Sequence, residues 1–201
     1  MSLIQNGLKN DLLSIFRNMT DGDDRYFARE VSAKVADYAE SGSITTVDAG
    51  TISAGVFAGS GSGSISVESS ICENIVYAAC QTMAKMTVGG DAYLAAQFAL
   101  GIDTMMLAGT VNTTVKGTVT PPSGTSFPLA GTAKGTFTGV MATLQSGFLA
   151  AFNKMATMTS GGDEYLAGQM ATVITAYLKA GVIATKGQAN LVGSIGAGSM
   201  S

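Results

Sequence analysis

The sequence predicts an α+β chain built from three tandem repeats, each an αα-hairpin followed by a Gly/Thr-rich β arm, with six helices in all. Three observations predict it. A phrase recurs as "MTDGDDRYFA" at 19–28, "MTVGGDAYLA" at 86–95 and "MTSGGDEYLA" at 158–167. Around it the copies align without a gap over 19–46, 86–113 and 158–185. Helical apolar spacing flanks each phrase on both sides, and β-type alternation follows. The repeats are placed at 1–66, 67–139 and 140–201.

The first helix of each repeat shows as an apolar stripe. Leu8, Leu12, Ile15, Phe16 and Met19 make it in repeat 1, Ile75, Ala79, Met83 and Met86 in repeat 2, and Leu144, Phe148, Phe152 and Met155 in repeat 3. Next comes a tight corner, at 20–24, 87–91 and 159–163. Gly22, Gly89, Gly90, Gly161 and Gly162 permit the reversal, and Asp24, Asp91 and Asp163 stand where an N-cap is wanted. The motif tyrosines Tyr26, Tyr93 and Tyr165 open the second helices, whose stripes run through Val31, Val35 and Tyr38, Phe98, Ile102 and Met105, and Met170, Ile174 and Tyr177. Gly42, Gly109 and Gly181 are read as helix stops of the left-handed C′ kind.

The β segments, 43–66, 110–139 and 182–201, follow these stops. "GTISAGVFAG", "TVNTTVKGTVT" and "GTAKGTFTG" alternate apolar with small residues, whereas "GSGSGS" (59–64) and "TPPSGTSFP" (120–128) read as loops. Arms with so little charge are expected to leave the helical body and pair with neighbouring chains, or to lie across the molecule's own sheet with partners covering open edges.

Could the corner be a site? A phosphate cradle is disfavoured by the aspartate at that position and by the lack of a P-loop Lys or Ser/Thr. Calcium is the other rival. Asp21, Asp23 and Asp24 place three carboxylates in four residues, but without EF-hand spacing. The structural reading of the corner is preferred, and Asp21, Asp23 and Asp24 stay as a weak metal candidate.

Composition narrows the chemistry. The chain has no histidine, which removes Ser-His-Asp and Cys-His arrangements and most zinc sites. Cys72 and Cys80, eight residues apart on one helix, are too distant for a mutual disulfide and read as small buried hydrophobes. The carboxylates Glu68, Glu73 and Asp103 show no acid–base spacing. No enzyme, catalytic residue or cofactor is expected. The many methionines are read as core rather than as a promiscuous binding groove.

Charged residues are only 12% of the chain, and residues 1–50 hold 5 basic and 8 acidic ones. Repeat 1 is therefore expected to be wet and the apolar helix "DAYLAAQFALGIDTMMLAG" covered. Net charge −3 and no basic cluster argue against nucleic acid. Neither a signal peptide nor a membrane span is expected.

"YLKAGVI" at 177–183, "DYAESGSI" at 37–44 and "TPPSGTSFPLAG" at 120–131 are similar to segments of small uncharacterised proteins encoded among the structural genes of tailed bacteriophages. The resemblance lies in the second helix and β arm, and carries over no site residues. It implies a non-enzymatic virion component of head, neck, tail or baseplate, made in the host cytoplasm. Its partners would be other virion proteins and copies of itself. The alternative is a small binding module, calcium-dependent through the acidic corner at 21–24.

Overall fold

The computed structural model describes residues 3–19 and 23–201. Its element order is helix, helix, strand, strand, three times over. Helices α1 (Gln5–Asn18) and α2 (Asp24–Ser41) lead into strands β1 (Ile44–Ile52) and β2 (Gly55–Ser66). Helices α3 (Ser69–Met83) and α4 (Gly90–Ala108) lead into β3 (Thr110–Thr120) and β4 (Phe127–Thr138). Helices α5 (Met141–Met155) and α6 (Gly162–Ala180) lead into β5 (Val182–Gly187) and β6 (Ser194–Met200), with a 3₁₀ turn at Ala189–Leu191 between the strands.

The expectation of a helical-hairpin repeat with separate β arms is overturned. The six strands zip in chain order into one closed antiparallel barrel, β6 pairing back onto β1. Among the described residues no strand leaves the barrel as a separate arm, because closure gives every strand a neighbour on both sides. "GSGSGS" is not a loop either. It lies inside β2, paired with β1 and β3. Replacing 43–66 with a linker would therefore remove two of six staves rather than a detachable arm.

Glycines within the strands let the barrel close. Inward-facing Ile44, Val111 and Ile183 occupy the same place in the three repeats, and the strands beside them offer Gly63, Gly135 and Gly198. A Cβ on these glycines would run into the backbone carbonyls of Asn112, Ala184 and Thr45 respectively. A narrow barrel brings backbones this close, and only glycine fits.

The helices form a second ring at one end of the barrel, each packed on its neighbours in sequence, with α6 against α1. Their core is aromatic: Phe98 of α4 lies 5.7 Å from Phe27 of α2, and 5.9 and 6.4 Å from Phe148 and Phe152 of α5, centroid to centroid. Ile44, Ile65, Val111, Phe137, Ile183 and Met200 close the near end of the barrel and belong to this same core. In α3 the buried face is Cys72, Val76, Ala79 and Cys80, which keeps Ala79 of the predicted stripe and puts Val76 in the place expected for Ile75. Among the methionines, Met105, Met106, Met170 and Met200 are buried, while Met86 is 38% exposed at a corner. Helix α4 keeps an uncovered outer face, with Leu100 and Leu107 exposed.

Candidate functional site

Each hairpin corner is a helix start, but its aspartates do not cap as expected. Helices α3 and α5 stop at Met83 and Met155, before the Met-Thr of the phrase. Helices α4 and α6 begin at Gly90 and Gly162, and their N-caps are Gly89 and Gly161 at φ 76° and 72°, left-handed positions that glycine enters freely. Asp91 and Asp163 sit inside the first turn, where a negative charge favours the helix dipole without a capping hydrogen bond. Repeat 1 differs. There the cap is Asp23, whose Oδ1 accepts from the backbone N–H of Arg25 and Tyr26, each at 3.0 Å. Asp24 accepts from Gln81 Nε2 at 2.7 Å.

Asp21 of the metal candidate and Gly22 of the corner lie outside the described residues. Asp23 and Asp24 each commit one carboxylate oxygen, to the helix start and to Gln81 respectively, which suits a structural corner. Millimolar calcium is expected to leave the melting temperature unchanged, since a ligand that binds the native state must raise it. A rise of several degrees would reinstate the metal reading.

Gly42, Gly109 and Gly181 are the C-caps of α2, α4 and α6, yet their φ values are −68°, −65° and −68°, extended rather than left-handed. Space, not handedness, selects glycine here. A Cβ would lie 2.9 Å from Met200 Cγ at Gly42 and 2.7 Å from Val67 Cγ1 at Gly109, and would strike the Phe137 ring at Gly181.

The most distinctive polar group lies inside the barrel. Thr46, Thr113 and Thr185 recur at one repeat position, point into the barrel and are 3%, 3% and 2% exposed. Asp48, 1% exposed, joins them. Its Oδ2 accepts from Thr46 Oγ1 at 2.6 Å and its Oδ1 from Thr185 Oγ1 at 3.3 Å. Thr113 donates to the Ala133 carbonyl at 3.5 Å. This layer separates the helix-side core from a second apolar cluster of Ile52, Phe57, Val115, Val119, Ala133 and Leu191 near the barrel tip. The threefold threonine recurrence was visible in the sequence; its inward direction needed the closed barrel. Sealed between two apolar clusters, the layer suits fixing register more than handling a substrate.

Other buried polar groups are held in their neutral forms. Tyr177 donates to Asp103 Oδ1 at 2.6 Å, and burial, reinforced by that carboxylate, holds its phenol far above the ordinary range. Burial pushes Cys72 up to about 11, the adjoining Ser32 hydroxyl offsetting only part of the shift. Cys80 also rises to about 11, through burial and then the charge of Asp24. Both thiols are free.

The unfolded chain gives up thiol protons near the ordinary value of 9.0, which the folded chain keeps up to about 11. Their stabilising contribution is therefore complete below pH 9 and is lost as pH rises through 11. Denaturant melts should show a stability plateau below about pH 8 and a decline from about pH 9, shallower in C72A/C80A. Equal stability at about pH 8 and pH 10.5 would contradict this burial.

No protein-family model, curated protein or solved structure matches this chain.

Proposed function

We propose that the chain is a non-enzymatic structural subunit of a tailed-bacteriophage virion, made in the host cytoplasm and working through contacts with other virion proteins and with copies of itself. The observation that supports this most is the barrel's outer wall. Ala184, Ala197 and Val47 are successive cross-strand neighbours on β5, β6 and β1, and Ile195, Ala49 and Ala58 form the next row. Val47 is 74% exposed and Ile195 66%. A contiguous aliphatic wall in water is characteristic of a surface that another protein covers. Leu100 and Leu107 on α4 add a second uncovered apolar strip. The phage-like segments at 37–44, 120–131 and 177–183 supply the virion context.

Among the described residues, no helix is long and apolar enough to cross a membrane. The reading is tested on gradient-purified particles from cells that produce the protein. Mass spectrometry should find it at a fixed ratio to the major structural proteins, and gold-labelled antibody should mark one defined part of the particle. Recovery only in the particle-free fraction would sink the proposal.

A further inference from the structure

The barrel wall carries a charge arrangement that folding alone leaves unfavourable. Lys134 of β4 and Lys186 of β5 are directly opposite in register, both exposed. Like charges so placed repel. Among the described residues neither forms an ion pair, and the only strand carboxylate, Asp48, points inward. Between and beside them runs a groove of about 560 Å³, whose lining includes Ala184, Ile195 and Ala197 beside Thr136 and two glycines. Such a lining with two uncompensated ammonium groups at its rim fits an apolar knob flanked by a carboxylate.

The chain carries such a knob. Val88, at the corner between α3 and α4, is 82% exposed, the most exposed of its large apolar residues among those described. Gly89 follows in the left-handed conformation, and Asp91, exposed and without an ion pair among the described residues, stands in the first turn of α4. The corner joins the helix ends remote from the barrel, so knob and groove of one molecule are far apart in the fold and cannot meet. Lys85, on the same corner, limits the net acidity, which leaves Val88 as the anchor and Asp91 as the charge that meets the lysine rim.

We infer that the groove at Lys134 and Lys186 receives the Val88–Asp91 corner of a second copy of this chain. The inference rests on the assembly reading above and names one of its contacts. Because the two surfaces differ, the contact is heterologous: each subunit keeps a free knob and a free groove, and association runs past the dimer into a ring or filament.

Sedimentation velocity on the full chain over a concentration series tests this. The wild type should form species larger than dimers, and should dissociate as salt shortens the Debye length from about 10 Å at 0.1 M to about 3 Å at 1 M. V88S/D91N, with the knob's apolar anchor and its charge both removed, and K134E/K186E, with the groove spoiled, should each be monomeric while keeping the wild-type circular dichroism spectrum. Mixed, the two variants should give a 1:1 heterodimer that grows no further, since only one intact knob and one intact groove remain. A monomeric wild type, folded variants that still assemble, or a mixture that stays monomeric would each overturn the contact. Those outcomes are distinct from absence of the protein from particles, which would instead sink the virion reading.

Discussion

Phe98→Ala is expected to lower the unfolding free energy by about 3–5 kcal/mol, the range for truncating a fully buried phenylalanine. Phe98 is 0% exposed and its ring meets Phe27, Phe148 and Phe152. Those residues come from all three repeats, on α2, α4 and α5. A cavity here would therefore loosen every hairpin together, and edge-to-face contacts would be lost with the volume. The transition should stay single and cooperative in denaturant melts followed by both far-ultraviolet circular dichroism and tyrosine fluorescence. Phe98→Leu, which keeps most of the volume, should cost markedly less. A loss below about 1 kcal/mol for Phe98→Ala would mean the helix ring can collapse around the gap and that the aromatic cluster is not its centre.

The cluster also shows what the sequence makes legible and what it hides. Apolar spacing reports which side of a helix is buried, and Leu8, Leu12, Phe148, Phe152 and Ile174 do face the core. It does not report where a ring of helices closes, because the α6 and α1 contact joins residues from opposite ends of the chain. The same limit governs the β segments. Alternation in "TVNTTVKGTVT" marks a strand with one buried face, but a partner strand in another molecule would produce the same alternation. Low charge then pointed outward, to other chains, whereas the structure spends those small residues on its own closure. Gly63, Gly135 and Gly198 sit where neighbouring backbones leave no room for a Cβ, a constraint with no local signature.

The corners failed for a different reason. Asp91 and Asp163 lie one position beyond the first helical residue and two beyond the cap, so a two-residue error in the helix start turned first-turn aspartates into caps. In repeat 1, aspartate replaces the second glycine of the phrase and does cap, as Asp23. Asp48 was missed because a single carboxylate in an uncharged arm resembles an ordinary exposed residue until its pleat direction is known. A one-residue slip of β1 would turn its side chain out to solvent and bring Val47 in.

Asp48→Ala is expected to cost about 2–4 kcal/mol, from two buried hydroxyls that lose a charged acceptor. Thr46 and Thr185 donate to its two oxygens from β1 and β5, strands that are not neighbours, so the carboxylate ties the barrel across β6. A buried carboxylate carries its own desolvation cost, and among the described residues no Lys or Arg pairs with it. The cost of deletion therefore arises mainly from the orphaned partners rather than from a large net gain of the native layer. That distinction is measurable. Asp48→Asn keeps one carbonyl acceptor, and the Thr46 hydroxyl can turn to accept from the new amide, so its loss should be smaller than that of Asp48→Ala. The triple variant T46V/D48L/T185V removes donors and acceptor together and joins the two apolar clusters; it should recover most of the loss. If register is what the layer fixes, the triple variant will be stable but less uniquely folded, with broadened amide resonances across β1, β5 and β6. Sharp, wild-type-like spectra from a fully stable triple variant would show that closure and the apolar clusters set the register alone.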